Sequence, residues 1–481
     1  MKVLIRFSGE ITIKSTQVRK QFQSRLVKNI KDGFKRSGIE IKVGQEWGRI
    51  FVDFEKSEGL TVLDRIYGIQ SYSIVEHECR AEIKEIVDKG LEYYGDMVVG
   101  KSFCVKARRN GTHEFSSMDI QKSLGAALNT KGLKVKLHNP EVCIFVEIKD
   151  ERCLFFTDII KGAAGLPLGT AGRAVCLLSG GFDSPVAAWM LQKRGVTCEF
   201  LLCNLAGEAY ERSVLKTAKL MADRWNFGFY PKFHVVDFTE IVKQIKERVA
   251  ARFSQVILKR MFYKTAEMLT ESTGAEAIIT GEAIGQVSSQ TLTNLKTIEE
   301  AIHTPVMRPL VGFDKGDIIE LSRLVGTHDI SASIQEFCQL VPAKPATACK
   351  VEVARSEEAK LDLSALDSAF ASRKIIDLIA LSKNDMSTPY IFKSEVPIDA
   401  VVVDCRTKSE FDLWHYKNAI HKEYYDLLSN YKSLVKSKEY VLYCAVGMQS
   451  ALVAEKMQAD GFLAYSFQGG ARSLEQYSLN Q

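Results

Sequence analysis

Apolar and polar positions along the chain fall into successive patterns of different period. Val3 to Phe7 alternate as a strand, and Gln17 to Arg36 repeat at helical spacing with a basic outer face. Strand spacing returns at Ile39 to Val43 and Arg49 to Phe54. From about residue 58 to 160 a second mixed pattern follows, centred on a strand beginning at Phe103 and a helix over Asp119 to Leu128. The glycine-rich stretch from Asp158 to Arg173 reads as a hinge. Beyond it the apolar runs Ala174–Leu178, Cys198–Leu202, His234–Val236 and Ala277–Thr280 alternate with helical segments, which predicts a doubly wound parallel sheet. Lys350 to Ser382 is charged and helical, and a new α/β pattern starts near 395. The expected division is 1–57, 58–160, a linker at 161–173, 174–350, a helical linker at 351–391, and 392–481.

At 481 residues the chain is too long for a single core. An apolar content of 46% and a charged content of 26% are those of a soluble globular protein. Net charge is only +5, so a nucleic-acid partner would be met by a local basic patch. No run approaches the roughly 20 apolar residues that span a bilayer. The amino terminus, MKVLIRFSGEITIK, alternates like a strand and lacks the apolar block of a signal peptide. A cytoplasmic protein without membrane contact is expected. The eleven cysteines form no C-x-x-C pair and no zinc-spaced cluster. Cys143, Cys153, Cys176 and Cys198 sit in apolar runs and read as small buried hydrophobes.

Candidate chemistry concentrates in a few stretches. Ser179-Gly180-Gly181-Phe182-Asp183-Ser184 lies between a buried strand and a helix, where backbone N–H groups and a helix N-terminus suit a phosphate. An ordinary capped helix start fits the same residues. Leu177-Leu178 and Leu202-Cys203 end the first two strands of the parallel sheet, where ligands of such sheets lie. Gly281 to Thr291 supplies close-approach glycines with amides and hydroxyls, and Lys315 opens a helix. Upstream, Lys106 and Arg108 share one strand face, beside Arg109, Gly111 and His113, which suits phosphate oxygens of RNA. The basic helix before them is either a solvated face or an RNA contact. Cys444 stands between the strand Tyr440–Tyr443 and a helix, where N–H groups and the helix dipole stabilise a thiolate.

The SGGFDS stretch matches the signature of the PP-loop ATP pyrophosphatases, which cut ATP between the α and β phosphates. The passage KARRNGTHEFSS resembles the THUMP RNA-binding domain, preceded by a ferredoxin-like unit. The segments Val401 to Arg406, Trp414 to Ile420 and Tyr440 to Ser450 resemble a rhodanese domain. Together with GEAIGQVSSQTLTNL, ILKRMF and RPLVGFDK, they make the whole chain similar to the tRNA 4-thiouridine synthetases. The resemblance implies a multidomain α+β and α/β fold: ferredoxin-like plus THUMP, then a PP-loop domain, then a rhodanese-like domain. It implies ATP and Mg²⁺ as cofactors, adenylation of O4 of uridine 8 in tRNA, and displacement of AMP by persulfide sulfur. Leu177, Leu178, Ser179, Gly180, Gly181, Asp183, Ser184, Leu202, Cys203, Lys259, Gly281 and Gln290 would hold ATP, with Asp183 on the metal. Asp183 and Lys315 would serve adenylation, and Lys106, Arg108, Arg109 and His113 would bind RNA. Cys444 would carry the persulfide, and Cys338 would resolve it as a transient disulfide with Cys444. A cysteine desulfurase as sulfur donor, a thiamine sulfur-carrier protein and a homodimer complete what the resemblance implies. One departure concerns the sulfur loop: Ala445, Val446, Met448 and Gln449 bring no cation, so the backbone must do more of the stabilising.

Rival readings are sulfur delivery for thiazole synthesis alone and a non-catalytic tRNA-binding protein. An intact SGGFDS loop together with Cys444 argues against the second. Amidating PP-loop ligases would need an ammonia source that no segment supplies, and cluster-dependent 2-thiolating enzymes would need C-x-x-C.

Overall fold

The computed structural model describes the whole chain except residues 47, 132–133, 206, 335–343, 383–385, 387–389 and 480–481 and the side chain of Met448. The chain divides into two compact units, Met1–Thr170 with Lys193–Gly195, and Ala171–Gln192 with Val196–Gln481. Its architecture is the expected series of α+β and α/β domains, with two sheets in each unit.

In the first unit, an antiparallel sheet runs in the order Ile160–Lys161, Ile69–Val75, Lys2–Phe7, Arg49–Asp53, Lys42–Glu46. Helix Thr16–Arg36 turns Leu26, Ile30 and Phe34 inward and leaves much of its basic face outward. The expected boundary at residue 57 cuts through this sheet, because Ile69–Val75 pairs with the first strand. The first residue of the expected linker at 161–173, Lys161, also belongs to it, in the edge strand Ile160–Lys161. The second sheet runs His77–Arg80, Arg152–Phe156, Val142–Lys149, Ser102–Asn110, Lys134–Val135. Helices Ile83–Tyr94 and Ser117–Asn129 cover one face, over a core that includes Phe103, Val105, Leu124 and Ile144. Ser116 caps the second helix in a reciprocal pair with Asp119.

In the second unit, a six-stranded sheet runs Val306–Met307, Ala277–Ile279, Arg173–Leu177, Thr197–Asn204, Lys232–Asp237, Lys374–Asp377. Its first five strands are parallel, and Lys374–Asp377 closes the edge antiparallel. That last strand corrects the expectation of a purely helical linker at 351–391: helices Val351–Glu358 and Ser364–Ala371 precede it, but Lys374–Asp377 joins the sheet. Strand order reverses between Arg173–Leu177 and Ala277–Ile279, which opens a crevice at their carboxyl ends. The fourth sheet is wholly parallel: Phe392–Lys393, Leu463–Phe467, Glu439–Tyr443, Val401–Asp404, Ile420–His421.

Helix Met448–Ala459 of this last sheet packs on helix Gly207–Trp225 of the larger one. Glu455 accepts hydrogen bonds from the amides of Glu208 (2.7 Å) and Ala209 (3.1 Å), satisfying two of the unpaired donors at that helix start. Among the described residues, no helix is long and apolar enough to cross a membrane.

Candidate active site

The loop after Arg173–Leu177 is built from its own side chains. The Ser179 amide donates to Ser184 Oγ (2.9 Å), and the Gly181 amide to Ser179 Oγ (3.4 Å). The Gly180 amide donates to the Tyr210 hydroxyl (3.1 Å), and Ser331 Oγ donates to the Gly181 carbonyl (3.3 Å). Neither glycine of the pair takes a left-handed backbone. Gly180 is small for a packing reason: a Cβ there would run into Ile334 Cγ2. Helix Asp183–Gln192 then begins.

Asp183 does not act as the side-chain cap that local sequence suggests. Its carboxylate receives the Lys315 ammonium on both oxygens, at 2.7 and 2.9 Å. Lys315, the first residue of helix Lys315–Val325, also lies 5.7 Å from the Phe182 ring centroid. Gly281 closes the other side, since a Cβ there would stand 2.6 Å from both the Asp183 carbonyl carbon and the Ser184 amide nitrogen. The structure therefore brings Asp183, Ser184, Lys315 and Gly281 together from three distant segments. Leu178 donates its amide to the Leu201 carbonyl (2.8 Å), while Leu202 and Cys203 are buried near the end of the neighbouring strand. Burial pushes the Cys203 thiol well up, so it stays protonated. Gln290 is buried, and among the described residues its side-chain oxygen has no hydrogen-bond partner.

Lys259 lies beside residues that sequence reading did not single out. Its ammonium donates to Glu282 Oε1 (2.7 Å). The other carboxylate oxygen accepts from the Tyr263 hydroxyl (2.5 Å), Arg308 Nε (3.0 Å) and Thr280 Oγ1 (3.2 Å). Burial alone would raise the Glu282 carboxyl, but Lys259, Tyr263 and Arg308 outweigh it and bring it from 4.5 to about 2. A depressed carboxyl contributes stability that is fully present above 4.5 and is lost as pH falls through about 2. At 1.36 kcal/mol per pKa unit the contribution is on the order of 3 kcal/mol. Urea unfolding at pH 5 and pH 3 should therefore show a larger loss of stability for the unaltered protein than for Glu282→Gln; equal losses would contradict this account.

In the fourth sheet, Cys444 follows strand Glu439–Tyr443 and precedes helix Met448–Ala459, as the sequence pattern implies. Its sulfur has no exposed surface. It accepts hydrogen bonds from the Gly447 amide (3.2 Å) and Ser450 Oγ (3.4 Å), which take the place of a loop cation. Ser450 was visible in the sequence only as a hydroxyl in the first turn after the loop. Gly447, with φ of +89°, makes the tight turn. Gly470 backs the loop so closely that a Cβ would meet the Cys444 carbonyl oxygen at 2.5 Å. Cys338 lies outside the described residues.

In the first unit, Lys106 and Arg108 are exposed on one face of strand Ser102–Asn110. Arg109 and His113 instead brace the loop: Arg109 donates to the Gly111 carbonyl (2.7 Å), and a His113 ring nitrogen lies 2.6 Å from the Asp150 carbonyl oxygen. Gly111, with φ of +105°, allows that turn. Arg108 and Arg109 line a cleft of about 220 Å³ with Arg49, Asn110, Glu147 and Lys149, so cations outnumber the one carboxylate four to one. Arg49 and Glu147 were not anticipated, because they come from different sheets and pair only in the fold (3.1 Å).

Four family profiles match in order along the chain. They are described as "ThiI ferredoxin-like domain" at residues 2–73, "THUMP domain" at 80–158, "Thiamine biosynthesis protein (ThiI)" at 169–363 and "Rhodanese-like domain" at 391–476. The chain is 33% identical to a tRNA sulfurtransferase of Desulfurococcus amylolyticus, over 97% of each chain. It is 35% identical to one of Proteus mirabilis, over 96% of this chain and 98% of the relative. Among solved structures, it is similar to a 4-thiouridine synthetase crystallised with RNA and bound ATP, at TM-score 0.67 and 32% identity, covering 78% of this chain and 99% of that one. On identity at this level over nearly the full length, the chain belongs to the tRNA sulfurtransferase family.

Proposed function

We propose that this protein converts uridine 8 of tRNA to 4-thiouridine in two chemical stages, adenylation and then sulfur transfer. ATP lies in the crevice at the strand-order reversal. Leu177, Leu178, Leu202 and Cys203 offer backbone to the adenosine, and the Ser179–Ser184 loop, Lys259 and Gly281 surround the phosphates. The observation that carries the reading is the pairing of Asp183 with Lys315 at the helix start, packed directly against Gly281. The unpartnered side-chain oxygen of Gln290 is a ready acceptor for a nucleotide donor. The ATP-bound, RNA-bound relative supports the same assignment. Among the described residues no cluster of three His, Cys, Asp or Glu could hold a metal. Asp183 alone fits a magnesium ion held mainly by phosphate oxygens. Such an ion would supply charge neutralisation on the pyrophosphate.

In the first stage uridine O4 attacks the α-phosphorus and pyrophosphate leaves, with Lys315 positioned to neutralise charge on the phosphoryl oxygens. In the second, the outer sulfur of a persulfide on Cys444 attacks C4, and AMP departs with its bonding pair. The Cys338 thiolate then attacks the Cys444 sulfur, which frees the thiouridine and leaves a Cys444–Cys338 disulfide for a cellular thiol to reduce. Lys106 and Arg108 hold tRNA phosphates, with Arg109 and His113 shaping the loop beside them. A cysteine desulfurase loads Cys444 in the cytoplasm. The family description naming thiamine biosynthesis supports a second use of the same sulfur, delivery to a sulfur-carrier protein. A homodimer belongs to the proposal on the family resemblance. Mass spectrometry of tRNA nucleosides from cells with and without the protein provides the test. Loss of 4-thiouridine is expected on deletion, and an unchanged level would overturn the reading.

A further inference from the structure

We propose that Glu282 is a positioning residue for nucleotide binding, acting by fixing the ammonium of Lys259 at the crevice. This rests on the reading that the crevice takes ATP. The geometry separates Glu282 from an ordinary core ion pair in three ways. It directly follows Gly281, whose own backbone is pressed against Asp183 and Ser184, so the carboxylate is tied to the first turn of the loop helix. Its oxygens are divided unequally: among the described residues Oε2 takes Tyr263, Arg308 and Thr280, while Oε1 takes Lys259 alone. Finally, Lys259 and Tyr263 stand four residues apart on helix Ser254–Thr273, on one face, and both reach the same carboxylate.

The division has a mechanical consequence. Three donors on Oε2 hold the carboxylate still, and the free lone pairs of Oε1 then aim a single ammonium. The Glu282 side chain is 5% exposed and that of Lys259 is 24% exposed. The carboxylate is thus sealed while the ammonium keeps an open side for a phosphate oxygen. Arg308 is itself shared between Glu282 (3.0 Å) and Glu299 (2.6 Å), so two carboxylates occupy its guanidinium. The charge of Glu282 keeps two neighbouring cations from repelling one another, and the charge of Lys259 is left for the ligand.

Full-length enzyme with Glu282→Gln tests this by steady-state kinetics with varied ATP. KM for ATP should rise about tenfold with kcat within about threefold, as expected for a displaced binding group. In a Lys259→Met background the same change should add less than about twofold, because both act through one ammonium. A role confined to folding would lower kcat through lost active protein and would add equally in both backgrounds. If Glu282→Gln does not fold, Tyr263→Phe removes one hydrogen bond to Oε2 and keeps the charge, and a KM increase of about threefold is expected. ATP binding to the unaltered protein, followed by calorimetry, distinguishes the two levels of failure. No binding overturns the nucleotide reading and the positioning role with it. Binding with an unchanged KM in the variant overturns the positioning role alone, as does full additivity with Lys259→Met.

Discussion

Cys444→Ala should leave ATP-dependent pyrophosphate release intact and cut 4-thiouridine formation by at least about a thousandfold. In the proposed mechanism the two stages use different residues, so they should separate cleanly. The proposed nucleotide crevice is built on the loop at 179–184, Gly281 and Lys315, whereas Cys444 is held by Gly447, Ser450 and Gly470. The sulfur is the only heavy atom lost in the variant, and the Gly447 amide and Ser450 hydroxyl that surround it stay in place. Stability should change little, because alanine removes one sulfur from a loop held by its own turn and by Gly470. Thiolation assayed with purified tRNA, a cysteine desulfurase and a reductant gives the readout. Continued thiolation in this variant would remove Cys444 from the reaction.

The second large effect is expected at Asp183. Asp183→Ala should reduce pyrophosphate release and thiolation together by about a hundredfold to ten-thousandfold, with tRNA affinity essentially unchanged. The fold cannot be the cause of such a loss. Lys315, the partner of Asp183, has a side chain 45% exposed, and an ion pair of that kind contributes only about 0–1 kcal/mol. Lys315→Ala should act in the same direction, and the double variant should be little worse than either single one, since residues working as a unit are not additive. Binding of tRNA is the control, because the basic strand Ser102–Asn110 belongs to the other compact unit. If Asp183→Ala keeps normal adenylation, the helix start has another use.

Much of the fold could be read from period and punctuation. Four apolar runs alternating with helices foretold a parallel sheet, and all four are strands in parallel register. The edge strand Lys374–Asp377 escaped because it is short, carries charge at both ends and follows two helices, so its period is barely expressed. The site was legible where chemistry is local. A six-residue loop between strand and helix announces itself, and so does a cysteine in the same setting. What could not be read were partnerships across sequence. Asp183 looks like a helix cap until Lys315, 132 residues away, is brought to it. Glu282 looks like one acid among many until a helix from upstream and an arginine from downstream converge on it. Gly180 and Gly281 could be read as close-approach glycines, but not that the neighbours they admit are Ile334 and the start of a helix.

The complete burial of the Cys444 sulfur sets a limit on time as well as on space. An atom with no accessible surface meets a donor, an acceptor or a scavenger only as often as the loop around it opens. Loop openings of this kind run from nanoseconds to milliseconds, far shorter than the lifetime of a sulfur–sulfur bond awaiting exchange. Each opening is then a brief sampling of whatever is nearby. A partner already docked is sampled every time, while a small thiol in dilute solution is sampled rarely. Selectivity for the proper acceptor can thus arise from waiting, without any contact that recognises it.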